Sequence, residues 1–345
     1  MVYEIEPGRD PRWAAFLSQG PRGGSVFHTP GWLRALEETY GYRTSVLTTS
    51  GPGEGAIRNG LPVCRVSSWA TGRRAVSLPF SDYCDVLGEE GTDELAAGLR
   101  AIGEAERLRY VEMRPALCGV GGAGFGVSQR FWRHAVDLRG GEAAVYQRLH
   151  ADHIRRKIRR AERERIEVRE GRGDTAAVDA FYRLFTRTRR RHGYPPPPRV
   201  WFANVLRQMG EAASLRVAYR ANGEAIGTMM LLWGRDTVYY KYGASDERHH
   251  ALGAMPLLFW DVMREAIGRG LAALDLGRSD LQGAGLIEFK ERLGGERAEV
   301  VYWRSPAADG GSSGGGGGSL ARRVFSSLPE SLLPAVGSLL YRHIG

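Results

Sequence analysis

The sequence predicts a mixed α/β protein with two α/β units in tandem. The chain has 345 residues, of which 43% are hydrophobic, and this is enough for roughly two domains with sizeable cores. Helical and strand-like patterns alternate along both halves. In the second half, three strand-like segments follow one another across short turns, which is typical of an antiparallel meander.

The first unit is predicted over residues 1–140. Thr29 and Pro30 are suited to the N-cap and first position of a short helix. That helix, at residues 30–40, places Trp32, Leu33, Leu36 and Tyr40 on one side. Strand-like segments follow at 43–48, 60–66, 75–78 and 109–113, and a helix at 92–108 separates the last two.

A basic connecting segment is predicted over residues 141–171, with one helix at 151–165. Its apolar residues Ile154, Ile158 and Ala161 recur at helical spacing on a narrow stripe. The remaining positions are free to face solvent or a polyanion. The basic side chains proposed for a polyanion are Arg155, Arg156, Lys157, Arg159 and Arg160.

The second unit is predicted over residues 172–306. A helix at 176–192 ends at a glycine before the proline run 195–198, and a second helix follows at 200–209. The meander comprises 215–219, 225–232 and 237–242. The remaining elements are a helix at 255–268, a strand at 273–276, a helical piece at 286–292 and a strand at 299–303.

The C-terminal region begins with a Gly/Ser-rich linker at 307–319. The amphipathic tail at 320–345 is expected to pack back on the protein. Its apolar and arginine-rich composition leaves contact with a membrane surface as an alternative.

Composition narrows the class of protein. The formal charge of +9 favours a phosphorylated or polyanionic partner. Cys64, Cys84 and Cys118 are too far apart to predict a disulfide framework or a zinc site, and the eight histidines lack ligand spacing, so no metal is expected. With no secretory signal and no apolar run of about 20 residues, we expect a cytoplasmic protein, with the inner face of the membrane as the alternative location.

The order of elements in the second unit resembles that of N-acyltransferases of the GNAT type. In that fold a glycine-containing loop opens the central helix, whose free N–H groups hold the pyrophosphate of acyl-CoA. Here Gly253 matches the loop pattern, but His250 and Met255 do not, and Pro256 removes an N–H donor. The sequence therefore predicts a poor CoA site.

Short motifs along nearly the whole chain resemble the FemAB/FemX family of aminoacyl transferases and its FemAB-like or BioF2-like acetyltransferase relatives. Those of the second half are Phe-Tyr-Arg-Leu at 181–184, Arg-Arg-His-Gly at 190–193, Tyr-Tyr-Lys-Tyr-Gly-Ala-Ser at 239–245, Asp-Leu-Gly-Arg-Ser at 275–279 and Phe-Lys at 289–290. Those of the first half are Phe-His-Thr-Pro-Gly-Trp at 27–32, Leu-Pro at 61–62, Ser-Leu-Pro-Phe-Ser-Asp-Tyr at 77–83 and Val-Glu-Met-Arg at 111–114. The tail resembles FemAB-like proteins associated with exopolysaccharide export.

The resemblance implies two tandem GNAT-like N-acyltransferase domains with a cleft between them. It also implies transfer of an amino acid from aminoacyl-tRNA to an amine acceptor, which can be a peptidoglycan precursor, a saccharide or a peptide. The expected enzyme needs no cofactor and is a monomer. An acyl-CoA-dependent N-acyltransferase of exopolysaccharide or natural-product assembly and a non-catalytic GNAT-like binding module are the alternatives.

Only three of the 48 basic residues are lysines, so a retained lysine marks a place where arginine does not serve. By resemblance, Lys290 of the Phe-Lys motif stabilises the oxyanion. Asp82 is the proposed acceptor of the amine proton, whereas Asp275 is expected to be structural. The residues predicted to bind substrate are Tyr83, Tyr240, Lys241, Tyr242, Arg278 and Phe289; strand alternation places Tyr240 and Tyr242 on one face.

Overall fold

The computed structural model describes residues 1–116, 119, 124–307 and 316–344. Cys118 and most of the predicted linker lie outside the described residues. The chain forms two compact units. Unit 1 comprises Met1–Phe131, Glu299–Gly314 and Leu339–Gly345, and unit 2 comprises Trp132–Ala298 and Gly315–Ser338. The basic segment lies within unit 2, and the tail contributes to both units.

The described residues of the N-terminal part of the chain supply three α-helices and six strands. The helices are α1 (Pro11–Ser18), α2 (Pro30–Tyr40) and α3 (Thr92–Ala105). The strands are β1 (Tyr3–Ile5), β2 (Arg43–Thr48), β3 (Leu61–Ser68), β4 (Gly72–Val76), β5 (Tyr110–Met113) and β6 (Gly126–Asp137).

The rest of the chain supplies the remaining described elements. The helices are α4 (Gly141–Arg148), α5 (Arg156–Arg163), α6 (Thr175–Arg191), α7 (Arg199–Met209), α8 (Ala254–Gly268), α9 (Ala284–Arg292), α10 (Gly316–Ser327) and α11 (Leu333–Ile344). The strands are β7 (Glu167–Gly171), β8 (Ala213–Tyr219), β9 (Ala225–Trp233), β10 (Thr237–Ser245), β11 (Ala273–Asp280) and β12 (Gly295–Ser305). The last four residues of the predicted linker, 316–319, belong to α10.

In unit 1, β1 to β5 are neighbours in chain order, and the end of β12 lies beside β5. All of these pairs are antiparallel except β4 with β5. The predicted helix at 30–40 is confirmed as α2. The Thr29 side chain accepts a hydrogen bond from the Trp32 N–H at 3.4 Å, and Trp32, Leu33 and Leu36 are buried.

In unit 2 the strand order is β6, β11, β10, β9, β8, β7. The predicted meander is confirmed, because β8, β9 and β10 form consecutive antiparallel pairs. Strands β11 and β12 are longer than predicted: β11 continues to Asp280, and β12 runs from Gly295 to Ser305. Their polar ends hid this continuation, because alternation of apolar residues is the signal that marks a strand.

The predicted single helix at 151–165 was wrong in its first turn. Ala151–Arg155 forms a π-helical turn, and α5 follows. The carbonyl of His150 accepts from the N–H groups of both Ile154 (3.0 Å) and Arg155 (3.1 Å), which widens the turn. The predicted apolar stripe is confirmed, since Ile154, Ile158 and Ala161 are all buried in the core of unit 2.

A buried histidine links the stability of unit 1 to pH. Both ring nitrogens of His28 are hydrogen-bonded: Nε2 donates to the Asp85 carbonyl at 2.9 Å, and Nδ1 accepts from the Ser25 N–H at 3.1 Å. This arrangement uses the neutral ring. Burial lowers the pKa of His28 from its usual 6.5 to about 4.

We expect this histidine to make the protein sensitive to acid. Because the pKa of His28 is lower in the folded state, the unfolded state binds more protons, and the free energy of unfolding falls as the pH drops from 6.5 to about 4. The loss approaches about 3 kcal/mol at about 1.4 kcal/mol per pKa unit. Chemical denaturation at pH 7.5 and pH 4.5 measures it. The variant His28→Gln should lose less stability on acidification than the parent, and an equal loss would contradict the assignment.

Candidate functional site

Two parallel strands of unit 2 diverge partway along their length. β10 pairs with β11 over Thr237–Tyr239 against Ala273–Asp275, and among the described residues the pairing ends there. Both strands continue, β10 to Ser245 and β11 to Asp280. Beyond Tyr239 and Asp275, the facing edges of the two strands are therefore not paired with each other among the described residues.

A β-bulge at Lys241 lies at this divergence. Tyr240 pairs with Leu231 of β9, and Tyr242 pairs with the next residue, Met230, so Lys241 is the extra residue. The expectation that Tyr240 and Tyr242 share a face was therefore wrong, because a bulge breaks the alternation of side chains.

The two tyrosines contact different helices. The ring of Tyr240 lies 4.8 Å from that of Phe259 of α8, between centroids. The hydroxyl of Tyr242 accepts from the Trp201 indole N–H at 3.1 Å, and its ring meets Phe202 edge-on at 5.2 Å. Tyr242 thus packs against α7, and the Lys241 ammonium lies 5.4 Å from its ring centroid.

Tyr240 and Phe289 meet at one residue of α8. Phe289 contacts Phe259 edge-on, with ring centroids 5.7 Å apart, so Phe259 lies between the two predicted substrate-binding residues. Burial raises the pKa of Tyr240, so its phenol stays protonated at neutral pH. Gly243 accommodates the ring, because a Cβ at that position would clash with the Tyr240 hydroxyl.

Lys290 of α9 is almost fully buried, and its side chain reaches the last residues of β11. Only 3% of the residue is exposed. Its Nζ donates to the carbonyl oxygens of Gly277 at 2.8 Å and Arg278 at 3.0 Å. These hydrogen bonds offset the cost of burying the ammonium and hold the part of β11 that lies beyond its pairing with β10.

The neighbouring residues fix the same stretch of backbone. Asp275 accepts from the Gly277 N–H at 2.7 Å and from the Arg133 Nε–H at 2.7 Å. It is 1% exposed, which is consistent with the structural role expected for Asp275. Arg278 and, two residues further on, Asp280 are exposed, so this strand end presents a guanidinium group and a carboxylate to the solvent.

His134 is a residue that sequence reasoning missed. It is fully buried on β6, and neither ring nitrogen has a hydrogen-bond partner among the described residues. Burial and then the charge of Lys290 lower the pKa of His134, so the ring is neutral. Residues two apart in a strand share a face. The position of His134 two residues before the apolar Val136 was therefore the signal in the sequence that could have predicted its burial.

The N-terminus of α8 is closed against the basic segment. Gly253, with φ +81°, caps α8, and a Cβ there would clash with the carbonyl of Lys157. The glycine of the predicted phosphate loop therefore serves the packing of α5 against α8. Pro256 in the first turn supplies no N–H, which leaves few donors for a pyrophosphate.

Substitution of Gly253 tests this packing role. We expect Gly253→Ala to lower the free energy of unfolding by about 2 kcal/mol or more, because the methyl group meets a backbone carbonyl and the backbone is left-handed. Gly268→Ala in the same helix is the matched control, since its Cβ meets no atom within 4 Å; it should be neutral or stabilising. Chemical denaturation compares the two, and equal stabilities would contradict the contact.

The exposed side of α5 is a stripe of arginines. Arg156, Arg159, Arg160 and Arg163 are all exposed and recur at i, i+3, i+4 and i+7, so they share one face. We call these four residues the arginine stripe. Arg163 was absent from the predicted set. Only Arg160 has an ion pair among the described contacts of these four, with Glu164 at 3.8 Å.

The other two predicted polyanion contacts are half-buried. Arg155 donates to the Gln147 side chain at 3.1 Å and lies 6.0 Å from the ring centroid of Tyr146. Lys157 is half-buried too. The segment is joined to α9, because the His150 N–H donates to the Arg292 carbonyl at 2.9 Å. His150 of the basic segment therefore lies against the helix that carries Lys290.

The other predicted site residues lie in unit 1. Asp82 is half-buried, and its carbonyl accepts from the Tyr302 hydroxyl at 2.7 Å. Tyr83 is buried and meets Phe27 edge-on at 6.1 Å. The preceding residues include Leu78 (φ 65°) and Phe80 (φ 61°), and such backbone strain concentrates at functional sites.

A buried carboxylate supports that strained loop. Glu112 is 2% exposed and pairs with Arg114 at 2.8 Å and Arg304 at 2.9 Å. Burial alone would raise the pKa of Glu112, but the two guanidinium groups lower it. Arg114 also donates to the Leu78 carbonyl at 3.0 Å. Glu112 thus orients the arginine that holds the loop before Asp82.

One group of possible metal ligands occurs in the part of the chain that the structure describes. Ligand atoms of Glu224, Asp246 and His249 lie within 4.8 Å of one another. The Arg248 guanidinium pairs with Asp246 at 2.6 Å and Glu224 at 3.4 Å, and it supplies the positive charge that these carboxylates need.

Comparisons with known proteins agree with this arrangement. Residues 147–291 match the family described as the acetyltransferase (GNAT) domain. No curated protein matches the sequence. Among solved structures, FemX is similar with a TM-score of 0.66 at 14% identity, over 87% of this chain and 96% of FemX.

Two further structures are similar over most of the chain. L-PGS from Bacillus licheniformis has a TM-score of 0.58 at 14% identity, over 99% of this chain and 98% of its own. A tandem GNAT protein from the clavulanic acid biosynthesis pathway has a TM-score of 0.54 at 13% identity, over 88% and 98%. At these identities the likeness is one of fold.

The chain contains an acyltransferase domain of the GNAT type. Residues 147–291, which include the diverging strands, α8 and Lys290, match that domain, and the prediction of tandem GNAT-like domains is confirmed at the level of the fold. The resemblance to the FemAB/FemX family likewise holds in the fold shared with FemX.

Proposed function

We propose that this acyltransferase moves an aminoacyl group from aminoacyl-tRNA to an amine, forming an amide bond. The observation that carries the proposal is the closed N-terminus of α8. Gly253 packs against the Lys157 carbonyl, and Pro256 lacks an N–H, so the helix offers little to the pyrophosphate of a CoA donor. A tRNA donor needs no such site.

The arginine stripe supplies the second support. Four arginines on one face of α5 extend over about 10 Å at 1.5 Å per residue, and they suit the phosphates of an RNA backbone. The turn that leads into α5 follows His150, whose N–H donates to the carbonyl of Arg292 of α9. A tRNA bound to this stripe would therefore contact an element that is joined to the helix carrying Lys290.

The chemistry asks for correct positioning and for positive charge near the developing oxyanion. A neutral amine attacks the ester carbonyl of the aminoacyl-tRNA, the tRNA hydroxyl leaves, and the amine loses a proton. Lys290 acts as a positioning residue, because its ammonium is held by the carbonyls of Gly277 and Arg278. Exposed Arg278 is the group proposed to contact the substrate.

The other proposed residues have smaller roles. Tyr240 and Phe289, which pack on Phe259, shape the apolar side of the site. Lys241 at the bulge and Tyr242 border the diverging strand. Asp82 of unit 1, next to buried Tyr83, remains the carboxylate proposed to accept the amine proton. The acceptor amine belongs to a peptidoglycan-like precursor, a saccharide or a peptide.

A donor-binding comparison tests the proposal. Purified protein is titrated with charged tRNA and with acetyl-CoA, and each titration is repeated at 50 and 200 mM salt. We expect tRNA to bind, and if the four stripe arginines each neutralise one phosphate, affinity should fall on the order of 50- to 150-fold between the two salt concentrations. Acetyl-CoA should not bind. Binding of acetyl-CoA without tRNA would make this an acyl-CoA-dependent N-acyltransferase instead.

A further inference from the structure

An exposed apolar surface in unit 1 belongs to no part of the site described above. The tip of the β3–β4 hairpin carries Trp69, which is 90% exposed, and the end of α11 carries Leu339 (70%), Leu340 (38%) and Ile344 (57%). We call these four residues the Trp69 surface. Large exposed apolar patches of this kind mark interaction sites in proteins.

Several hydrogen bonds hold the end of α11 against unit 1. The Tyr42 hydroxyl is within reach of the Tyr341 and Arg342 carbonyls, at 3.3 and 3.2 Å. The Thr71 hydroxyl and the Arg74 guanidinium donate to the His343 carbonyl at 2.8 and 2.9 Å. The last carbonyls of the helix are thus capped by this unit, and Arg74 complements the negative end of the helix dipole.

The hairpin tip is joined to the same helix end. The His343 ring hydrogen-bonds the Ser68 hydroxyl at 3.0 Å through Nδ1 and meets the Trp69 ring edge-on, with centroids 5.4 Å apart. Trp69 and the end of α11 therefore form one continuous surface on a fixed scaffold.

The last residues of α11, Leu339 to Ile344, carry apolar side chains both on the side packed against unit 1 and on the exposed side. Tyr341 is buried and packs near Phe80, with ring centroids 5.8 Å apart. Leu339, Leu340 and Ile344 are exposed instead. Docking of α11 therefore uses the Tyr341 side and leaves a second apolar side facing solvent.

Positive charge borders the Trp69 surface. Segments 68–74 and 339–344 contain no acidic residue, and Arg73 and Arg342 are exposed. Arg109 reaches the hairpin, where its guanidinium donates to the Thr71 carbonyl at 3.2 Å. An apolar centre with a cationic rim is complementary to a partner that has an apolar interior and anionic groups on its surface.

We propose that unit 1 binds the surface of an anionic lipid bilayer through the Trp69 surface. Tryptophan is favoured at the membrane–water interface, and the aliphatic side chains of α11 would enter the boundary between headgroups and acyl chains. Arg73, Arg109 and Arg342 would bind the anionic headgroups. Across the described residues no helix is long and apolar enough to cross a membrane, so the contact is peripheral.

A second copy of the chain is a poorer occupant of this surface. A two-fold symmetric dimer would place the same patch on both partners, so the arginines of one copy would face those of the other. The charge at the rim therefore favours lipid over self-association. The proposal is independent of the identity of the acyl donor.

Vesicle binding tests the proposal directly. Full-length protein is sedimented with phosphatidylcholine vesicles and with vesicles that contain 30% phosphatidylglycerol. We expect binding to the anionic vesicles that weakens as salt rises. The double variant Trp69→Ala, Leu339→Ser should bind at least about tenfold more weakly, because burial of either side chain contributes at least about a factor of ten.

Controls separate this contact from unfolding and from self-association. Both variant positions are mostly exposed, so thermal unfolding should match that of the parent. Val200→Ser, at a residue 49% exposed in unit 2, is the matched control and should bind vesicles normally. Absence of binding to anionic vesicles would overturn the proposal. So would equal binding by the double variant, or a dimer that this variant dissociates.

Discussion

Reversal of three charges on the arginine stripe should abolish most tRNA binding. In the triple variant Arg156→Glu, Arg159→Glu, Arg163→Glu, three exposed guanidinium groups on one face of α5 become carboxylates that repel phosphate. We expect the affinity for charged tRNA to fall on the order of 100-fold or more at 0.1 M salt, and the salt dependence to decrease by about two to three counterions. Filter binding over a salt series measures both quantities.

A matched variant separates this effect from the loss of net charge. Arg9→Glu, Arg22→Glu, Arg58→Glu changes three exposed arginines of unit 1 and alters the net charge by the same amount. It should retain most of the affinity. Glutamate is a good helix former and the changed side chains of α5 are exposed, so the helix should persist. Equal losses in the two variants would show that tRNA responds only to overall charge.

Replacement of Lys290 should have the largest effect on catalysis. Lys290→Met keeps the length of the side chain but removes the ammonium that holds the carbonyls of Gly277 and Arg278. We expect the rate of aminoacyl transfer to fall at least about 100-fold, because displacement of the reacting groups by about 1 Å can cost that much. Hydroxylamine can serve as the test amine, since transfer yields a hydroxamate that is measured directly.

Two comparisons distinguish catalysis from stability at this position. Loss of buried hydrogen bonds should also cost about 1–3 kcal/mol of stability, so rates are measured well below the unfolding temperature. Glu288→Gln, an exposed residue of the same helix, should transfer normally. Lys290→Arg tests whether charge alone is sufficient. We expect it to stay impaired, because the guanidinium is planar and bulkier than the ammonium. A rate near that of the parent for Lys290→Met would contradict the assignment.

The fold could be predicted where local patterns reflect tertiary contacts. The apolar stripe of Ile154, Ile158 and Ala161 and the N-cap at Thr29 are local signals, and both appear in the structure. The far part of β11 was missed, because its residues are fixed by Asp275 and Lys290. Contacts from a distant helix leave no periodic signal in the strand itself.

The candidate site was only partly predictable for the same reason. The scarcity of lysine in the sequence pointed to Lys290. Its side chain is buried and donates to two backbone carbonyls, which agrees with that prediction. The bulge at Lys241 depends on the register with β9, so its separation of Tyr240 from Tyr242 could not be read from alternation. Gly253 matched a phosphate-loop pattern, yet its neighbour is the carbonyl of Lys157, a contact that only the fold brings about.

The central claim is the identity of the donor, and a transfer experiment tests it most directly. The protein is incubated with hydroxylamine and either tRNA charged with radiolabelled amino acids or radiolabelled acetyl-CoA, and labelled hydroxamate is counted with and without enzyme. We predict enzyme-dependent product from charged tRNA and none above background from acetyl-CoA. Product from acetyl-CoA alone would contradict the account. The enzyme would then use acyl-CoA even though the N-terminus of α8 packs against the basic segment.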